Sequence, residues 1–400
     1  MSRLSIHMDS PRPEQPLILN SNSELFLHLL RATTAQIVVV GHAMSLFGVL
    51  PSIQPPHFFC IQDLAVVIFF FLSGYVISYT CQLKSSKKDY GYDEFLFDRA
   101  VRLYVVLIPS LVFIAACDLF FWKGLGTRFQ YEDDFTLKNF VASLFYFQHF
   151  PPGKILKLSV LGSGRSLWTL AIEWWFYVAF GWLTLSHSNS TLRRWGGHLL
   201  AAVSVPMVIY RLVGDREQGF ALLWSLGVGA MLVMQGRRLP QWNARLLYPA
   251  GCGIFVLTFM SPVETMSGYH FRVSVCLCLA VAILVLAHQS TKWQFYERLR
   301  MAPAIRFFAD YSFTLYLVHY TVLYWMKEHW GLNEPNMSIV AGSIALSNII
   351  AVSLAAVTEF RYRSVRAWLL PYFFDLATIA PAPVVPGVLD EHQEPRRISA

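Results

Sequence analysis

Leu30 to Gly48 read LRATTAQIVVVGHAMSLFG, an apolar stretch close to the length that crosses a bilayer. Arg31 lies near its beginning, and His42 follows eleven residues later. In a helix this spacing leaves the two side chains within roughly 20° of each other and about 16.5 Å apart along the axis. Ionisable residues in membrane helices are costly and are functional candidates. The structural alternatives to a functional role are that Arg31 anchors the helix at the membrane surface and that His42 makes a polar contact between helices.

The whole chain has the composition of a polytopic membrane protein. Of its 400 residues, 55% are hydrophobic and 14% are charged, and the mean hydropathy is +0.44. A soluble protein carries about a quarter charged residues. The 31 Phe, 18 Tyr and 12 Trp suit a bundle with aromatic belts. The six cysteines lie mostly in apolar stretches, so neither a disulfide framework nor a metal site is predicted.

Apolar runs of about 20 residues predict an all-α fold, a membrane helix bundle with about ten transmembrane helices. The segment 139–150 (NFVASLFYFQHF) is too short to span and is predicted to be interfacial or re-entrant. The predicted spans are 27–48, 63–82, 103–122, 167–186, 196–213, 219–236, 245–261, 270–288, 307–326 and 339–361.

The positions of Lys and Arg predict that both termini are cytoplasmic. Basic residues concentrate in alternate loops, and the other loops are nearly free of them except for the long 123–166 loop. The net charge of +7 therefore reflects topology and contact with the lipid bilayer, and no nucleic acid partner is expected. We expect a polar N-terminal segment (1–25) without a cleavable signal peptide, a membrane domain (26–366) and a disordered tail (367–400). The predicted location is the cell (inner or plasma) membrane.

Two further polar sites fall inside predicted spans. Glu173, in SLWTLAIEWWFY, has the same predicted depth as His42, and a carboxylate can set the tautomer of a histidine. An interfacial role beside two tryptophans is the alternative for Glu173. Ser73 and Gly74 form a small-residue pair that lets a helix or a ligand approach closely, and helix packing alone also explains it.

Basic and aromatic residues near two other span ends are candidates for ligand binding. Arg99 and Arg102 are three residues apart, hence neighbours on a helix surface, and suit phosphate groups. Positive-inside anchoring competes with that interpretation. Tyr316 and His319 are predicted in the outer half of the ninth span, where His319 can also simply bond a neighbouring helix.

Taken together, these motifs resemble the acyltransferase-3 family of integral-membrane O-acyltransferases, over residues from about 25 to 365. Three positions depart from patterns common in that family: Val67, Val105 and Trp174. The matching motifs are Arg31 with His42, FFxLSG at 69–74, RxxR at Arg99 and Arg102, SLWxLxxE at 166–173 with Phe176 and Tyr177, and SxxLYLxH at 312–319.

The resemblance implies transfer of an acyl group, often acetyl, from cytoplasmic acyl-CoA to a hydroxyl of a carbohydrate, glycolipid or other exported acceptor. Acyl-CoA would be a co-substrate, and no bound cofactor is expected. We predict that His42 is the catalytic base and that Glu173 orients its imidazole. The predicted donor-binding residues are Arg31, Ser73, Arg99 and Arg102, and the predicted substrate-binding residues are Trp168, Tyr316 and His319.

Two alternatives stay open at this stage. A transporter or flippase for a polar or lipid-linked substrate would also explain many spans, a core His and Glu, and basic inner loops. We see no paired, interrupted helices in corresponding halves, which such transporters often have. Within the enzyme hypothesis, an acyl-histidine intermediate is an alternative to direct transfer.

Overall fold

The structure is a computed structural model that describes residues 18–51, 60–85, 90–148, 156–187, 190–213, 218–235, 244–260, 266–291, 296, 300–330 and 336–374. Throughout these ranges the regular structure is helical. The α-helices are α1 (Ser21–Phe47), α2 (Ile61–Ser85), α3 (Tyr92–Leu119), α4 (Leu137–Leu144), α5 (Leu167–Thr184), α6 (Thr191–Val213), α7 (Gln218–Gln235), α8 (Ala244–Met260), α9 (Met266–Ser290), α10 (Ala302–Asp310), α11 (Ser312–Trp330), α12 (Met337–Val357) and α13 (Tyr362–Phe373).

The predicted all-α class is confirmed. Many bulky apolar side chains on the outside of the bundle are exposed, among them Val112 on α3 and Ile349 on α12, as expected for surfaces that face lipid. The count of ten spans and the cytoplasmic termini stay predictions. Among the described residues, five helical segments are long and apolar enough to cross a membrane: Ser21–Phe47, Ile61–Ser85, Tyr92–Gly124, Val273–Ser290 and Met337–Phe373.

Several boundaries differ from those expected. Helix α1 begins at Ser21, inside the predicted polar segment 1–25, because the Asn20 side chain caps it by accepting a hydrogen bond from the Ser23 amide at 2.8 Å. The predicted ninth span covers parts of both α10 and α11, which meet at Tyr311. Helix α13 extends into the predicted tail, of which 375–400 lie outside the described residues, as do 1–17 of the N-terminal segment.

Helix α2 lies at the centre of the bundle and packs along α7 and α1. Its contact with α7 depends on two glycines. A Cβ atom on Gly74 would collide with the carbonyl oxygen of Trp224, and one on Gly227 would collide with that of Phe71. The structure therefore confirms that the Ser73–Gly74 pair lets another helix approach closely. Helix α11 packs against α1, α3 and α12, and this arrangement brings His319 on α11 beside His42 near the end of α1.

Candidate active site

His42 lies one turn before the end of α1, where α2 approaches closely. A Cβ atom on Gly41 would come within 2.9 Å of the Gln62 amide nitrogen and of the Ile61 side chain. Glycine at this position therefore allows the beginning of α2 to pack directly against the helix face beside the imidazole. His42 itself is half-buried.

A second histidine holds the His42 ring. Nδ1 of His42 lies 2.9 Å from Nε2 of His319, and Nδ1 of His319 lies 3.0 Å from the backbone carbonyl oxygen of Leu315. A carbonyl can only accept, so Nδ1 of His319 carries its proton and Nε2 accepts from Nδ1–H of His42. This chain leaves Nε2 of His42 unprotonated, as a general base requires.

An elongated cavity of about 200 Å³ passes between α1, α2, α3, α5 and α11. One end is basic, and the charge pattern of the sequence predicts that this end, hereafter the inner end, faces the cytoplasm. Along α2 the lining residues extend from Lys84 to Val66, about 27 Å at 1.5 Å per residue. The polar lining residues are His28, Arg31, Ser73, Thr80, Lys84, Arg99, Arg102, Thr169, Glu173, Tyr177, Ser312, Tyr316 and Tyr362.

Glu173 lies in the wall of this cavity, held by hydroxyl groups. Its Oε1 accepts a hydrogen bond from Oγ of Ser73 at 2.6 Å and another from the hydroxyl of Tyr177. The indole of Trp224 donates to Oγ of Ser73 at 3.3 Å. Within the described part of the chain, Oε2 of Glu173 accepts no hydrogen bond, so it is available to a ligand in the cavity.

The predicted contact between Glu173 and His42 is absent from the described structure, and His319 takes that place. The sequence placed the imidazole and the carboxylate at the same depth, but depth does not specify which side of a helix faces which neighbour. Tyr316 lines the cavity at its outer end, accepts a hydrogen bond from Thr169 at 2.9 Å, and lies 5.9 Å from the His319 ring between centroids. His319 therefore lies beside Tyr316 at this end of the cavity, neither histidine is among the residues that line it, and Glu173 lies in its wall.

The inner end of the cavity combines paired and unpaired cationic groups. Arg31 contacts Glu359 at 2.8 Å, and Lys84 contacts the buried Asp98 at 2.7 Å. Arg99 is only 9% exposed. Its guanidinium donates to Thr80 at 3.3 Å, but its Nε–H has no partner within the described structure. A buried donor of this kind is costly unless a ligand satisfies it, which makes Arg99 a candidate anion-binding group.

The structure thus divides the predicted site residues into groups. Arg31, Ser73, Arg99, Arg102, Glu173 and Tyr316 line the cavity. His42 and His319 form the adjacent pair. Both ring nitrogens of His319 have partners within the protein, one of them His42, and its predicted role in binding substrate stays a prediction. Trp168 packs edge-on against Phe220 and is not among the residues that line the cavity.

Sequence reasoning assigned no role to several residues that the structure brings to the site. Tyr177 belongs to the SLWxLxxE motif region and lies one turn after Glu173, a spacing that allows the hydrogen bond between them. Thr80, one turn before Lys84 on α2, accepts a hydrogen bond from Arg99. No signal in the sequence connects Tyr320 with His42, although their rings are 5.3 Å apart and nearly perpendicular.

Residues 24–357 match the acyltransferase-3 family, described as an acyltransferase domain. The match covers most of the chain and includes both histidines and every polar residue of the cavity wall except Tyr362. The chain belongs to this acyltransferase family. Tyr362 and Glu359, the partner of Arg31, lie just beyond the matched region.

Two relatives support the family assignment. An O-acetyl transferase of Shigella phage Sf6 is 26% identical over 200 residues, which are 49% of this chain and 54% of that protein. Acyltransferase MdmB of Streptomyces mycarofaciens is 24% identical over 337 residues, which are 75% of this chain and 79% of that protein. The matched part of this acyltransferase-family chain thus spans about half the length of the phage relative. No solved structure matches.

Proposed function

We propose that this protein is an integral-membrane O-acyltransferase that moves an acyl group, acetyl being the group expected, from acyl-CoA to a hydroxyl of a carbohydrate or glycolipid. The hydrogen-bond chain that leaves Nε2 of His42 free, next to a long cavity with a basic inner end, carries this proposal. The family membership and the named activities of the two relatives support the reaction class.

The cavity suits the donor. Arg99 and Arg102, with Lys84 beside them, would bind the phosphates of CoA at the inner end. The pantetheine arm would extend along α2 towards Tyr316, over the distance of about 22 Å between Lys84 and Phe69. Two further lysines, Lys87 and Lys88, follow Lys84 in the sequence and lie outside the described residues.

Glu173 takes a different role from the one its motif suggested. Because Oε1 is held by Ser73 and Tyr177, the carboxylate is fixed in the cavity wall with Oε2 open. Such an oxygen is a natural acceptor for an amide N–H of the pantetheine arm. We therefore assign Glu173 to donor positioning and His319 to orientation of the base.

The acyl group then passes from CoA to the acceptor in one step. Nε2 of His42 takes the proton of the acceptor hydroxyl as its oxygen attacks the thioester carbonyl. The carbon–sulfur bond breaks, and the CoA thiolate takes the proton back from the imidazolium. His319 holds the ring throughout through its bond to Nδ1–H.

Replacement of His42 tests the proposal. With purified protein in lipid vesicles, radiolabelled acetyl-CoA and a crude glycolipid extract, His42→Ala should reduce acyl transfer by a factor of about 10² to 10⁴. His198→Ala is the matched control, since His198 is exposed and its one hydrogen bond among the described residues is to Trp182.

Near wild-type transfer by His42→Ala would remove His42 from the mechanism. Movement of acceptor across the vesicle membrane without release of CoA would indicate a transporter instead. Label that remains on the enzyme in the absence of acceptor would indicate the acyl-histidine route.

A further inference from the structure

His42 has a second neighbourhood, on the side away from the donor cavity. Its ring lies edge-on to that of Tyr320, at 5.3 Å between centroids. The hydroxyl of Tyr320 is 2.9 Å from that of Tyr131, which lies in the long loop between α3 and α5. The guanidinium of Arg165, from the same loop, lies 4.9 Å from the centre of the Tyr131 ring. We name Tyr131, Arg165 and Tyr320 the outer aromatic patch.

A buried network holds the loop that supplies this patch. Asp118, fully buried at the end of α3, accepts hydrogen bonds from the backbone amide of Ser163 at 3.0 Å, from its hydroxyl, and from the indole of Trp325 at 2.7 Å. Gly162 adopts a φ of +43°, and a Cβ atom there would collide with Asp118. These contacts attach residues 162–165 directly to α3 and α11. The patch is therefore preorganised, which lowers the entropic cost of binding a ligand.

The patch is accessible, and its one arginine is paired with a carboxylate. Tyr131, Arg165 and Tyr320 are all half-buried. Arg165 is paired with Asp134 at 2.8 Å, and Glu132 and Asp133 are exposed beside it. These charged residues around the patch offer no net positive charge to an anion. Aromatic rings with a few fixed polar groups are typical of sites for small ligands, and a pyranose presents an apolar C–H face that packs on such rings.

We propose that the outer aromatic patch binds a neutral sugar ring of the acceptor and presents its hydroxyl to Nε2 of His42. The acceptor would then approach from the outer side while the acyl donor occupies the inner cavity, so the two substrates would meet at His42 without sharing an entrance. This inference rests on the proposed acyltransferase function and adds the class and position of the second substrate.

The test compares Tyr131 variants of the full-length protein in lipid nanodiscs. The probes are methyl α-glucoside, methyl α-galactoside and methyl α-rhamnoside as neutral sugars, with the methyl glycoside of glucuronic acid as the anionic counterpart. Saturation-transfer NMR measures binding without turnover. Radiolabelled acetyl-CoA measures transfer to the sugars and the slow hydrolysis that proceeds without them.

Tyr131→Ala should weaken binding of the preferred neutral glycoside, and raise its KM, by about tenfold. The KM for acetyl-CoA should not change. Tyr131→Phe keeps the ring and should retain most of the binding. Trp330→Ala is the control, because Trp330 is an exposed aromatic residue near the same surface that contacts Phe121 and His329 rather than the patch.

Unchanged sugar binding in folded Tyr131→Ala would overturn the inference, as would tighter binding of the glucuronide than of every neutral glycoside, or binding of none of them. Should Tyr131→Ala fail to fold, Tyr131→Leu takes its place with the same expected loss. Failure of the proposed function is a distinct result, in which the wild-type protein binds a sugar at the patch but neither hydrolyses acetyl-CoA nor transfers its acyl group.

Discussion

His319 determines which nitrogen of His42 is free. Its Nδ1 donates to the Leu315 carbonyl, so its Nε2 must accept from Nδ1–H of His42. A helix backbone thereby specifies the tautomer of a side chain on a different helix. The role that a carboxylate has in many histidine-based sites belongs here to a neutral imidazole, which orients the base without adding a buried negative charge.

Replacing His319 should therefore impair turnover rather than binding. His319→Leu removes the acceptor for Nδ1–H of His42, so kcat should fall at least 100-fold, equivalent to about 2.7 kcal/mol, with little change in either KM. His319→Gln should retain more activity because its amide oxygen can still accept. Steady-state kinetics in vesicles measure both variants. Equal activity of His319→Leu and wild type would show that the tautomer is not controlled by this contact.

Glu173 permits a test between its two possible roles. If it binds the donor, Glu173→Ala should raise the KM for acetyl-CoA by about tenfold, the effect of losing a hydrogen bond to a charged group of roughly 1.5 kcal/mol. If it orients His42, kcat should fall instead and the KM for acetyl-CoA should stay the same. Tyr177→Phe removes only one of the hydroxyls that hold Oε1 and should give a smaller effect in the same direction as Glu173→Ala.

At the scale of elements, the crossing of α2 and α7 fixes the donor cavity. Ser73 donates to Glu173 in the cavity wall, and Gly74, the next residue, lies against the backbone of α7. The indole of Trp224 then reaches back to Ser73. Backbone contact between the two helices is therefore coupled to the position of a polar residue in the cavity wall. This pair of helices cannot separate without disturbing that residue.

Gly74→Ala should destabilise the protein because the new methyl group meets a carbonyl oxygen that belongs to helix backbone and cannot rotate away. We expect a loss of about 1–3 kcal/mol and a lower Tm in detergent, measured by intrinsic fluorescence. Gly227→Ala should behave alike. Gly229→Ala is the matched control, on α7 like Gly227, since a Cβ atom there would have no neighbour within 4 Å among the described residues. The Tm of this variant should not fall. Equal Tm values for Gly74→Ala and Gly229→Ala would contradict the crossing.

At the scale of the whole molecule, the two ends of the site differ in charge. The inner end collects Arg31, Lys84, Arg99 and Arg102, whereas the outer end carries the histidine pair and the aromatic patch. The same basic residues that the positive-inside rule uses to orient the chain thus line the donor cavity. In the mechanism proposed above, the predicted orientation in the membrane and the access of a cytoplasmic acyl-CoA are linked, since both require this end of the bundle to face the cytoplasm.

Cysteine accessibility tests that orientation. In a variant without the native cysteines, Asp133→Cys should react in intact cells with a membrane-impermeant maleimide, and Arg194→Cys should react only after permeabilisation. Both native residues are exposed, so a lack of reaction reports the membrane and not burial. The reverse pattern would mean that the basic end faces outwards, and a cytoplasmic donor could then not reach the cavity from that end.

The amino-acid sequence by itself determined the class of this protein and most of its candidate functional residues. Apolar length and charge placement specify membrane helices because lipid excludes unpaired backbone groups and charges. The motifs singled out His42, Glu173, Arg99 and Arg102 as candidates because ionisable groups are costly in membrane helices.

Only the tertiary structure decided which of those groups meet. The sequence specifies the depth of a residue through helix rise, but the rotation of each helix and its neighbours depend on side-chain packing across the whole bundle. His42 and Glu173 share a predicted depth and yet have different partners, His319 for one and Ser73 with Tyr177 for the other. Tyr131 contacts Tyr320 from a loop position remote in sequence. Such a long-range contact produces no local sequence pattern from which it could be predicted.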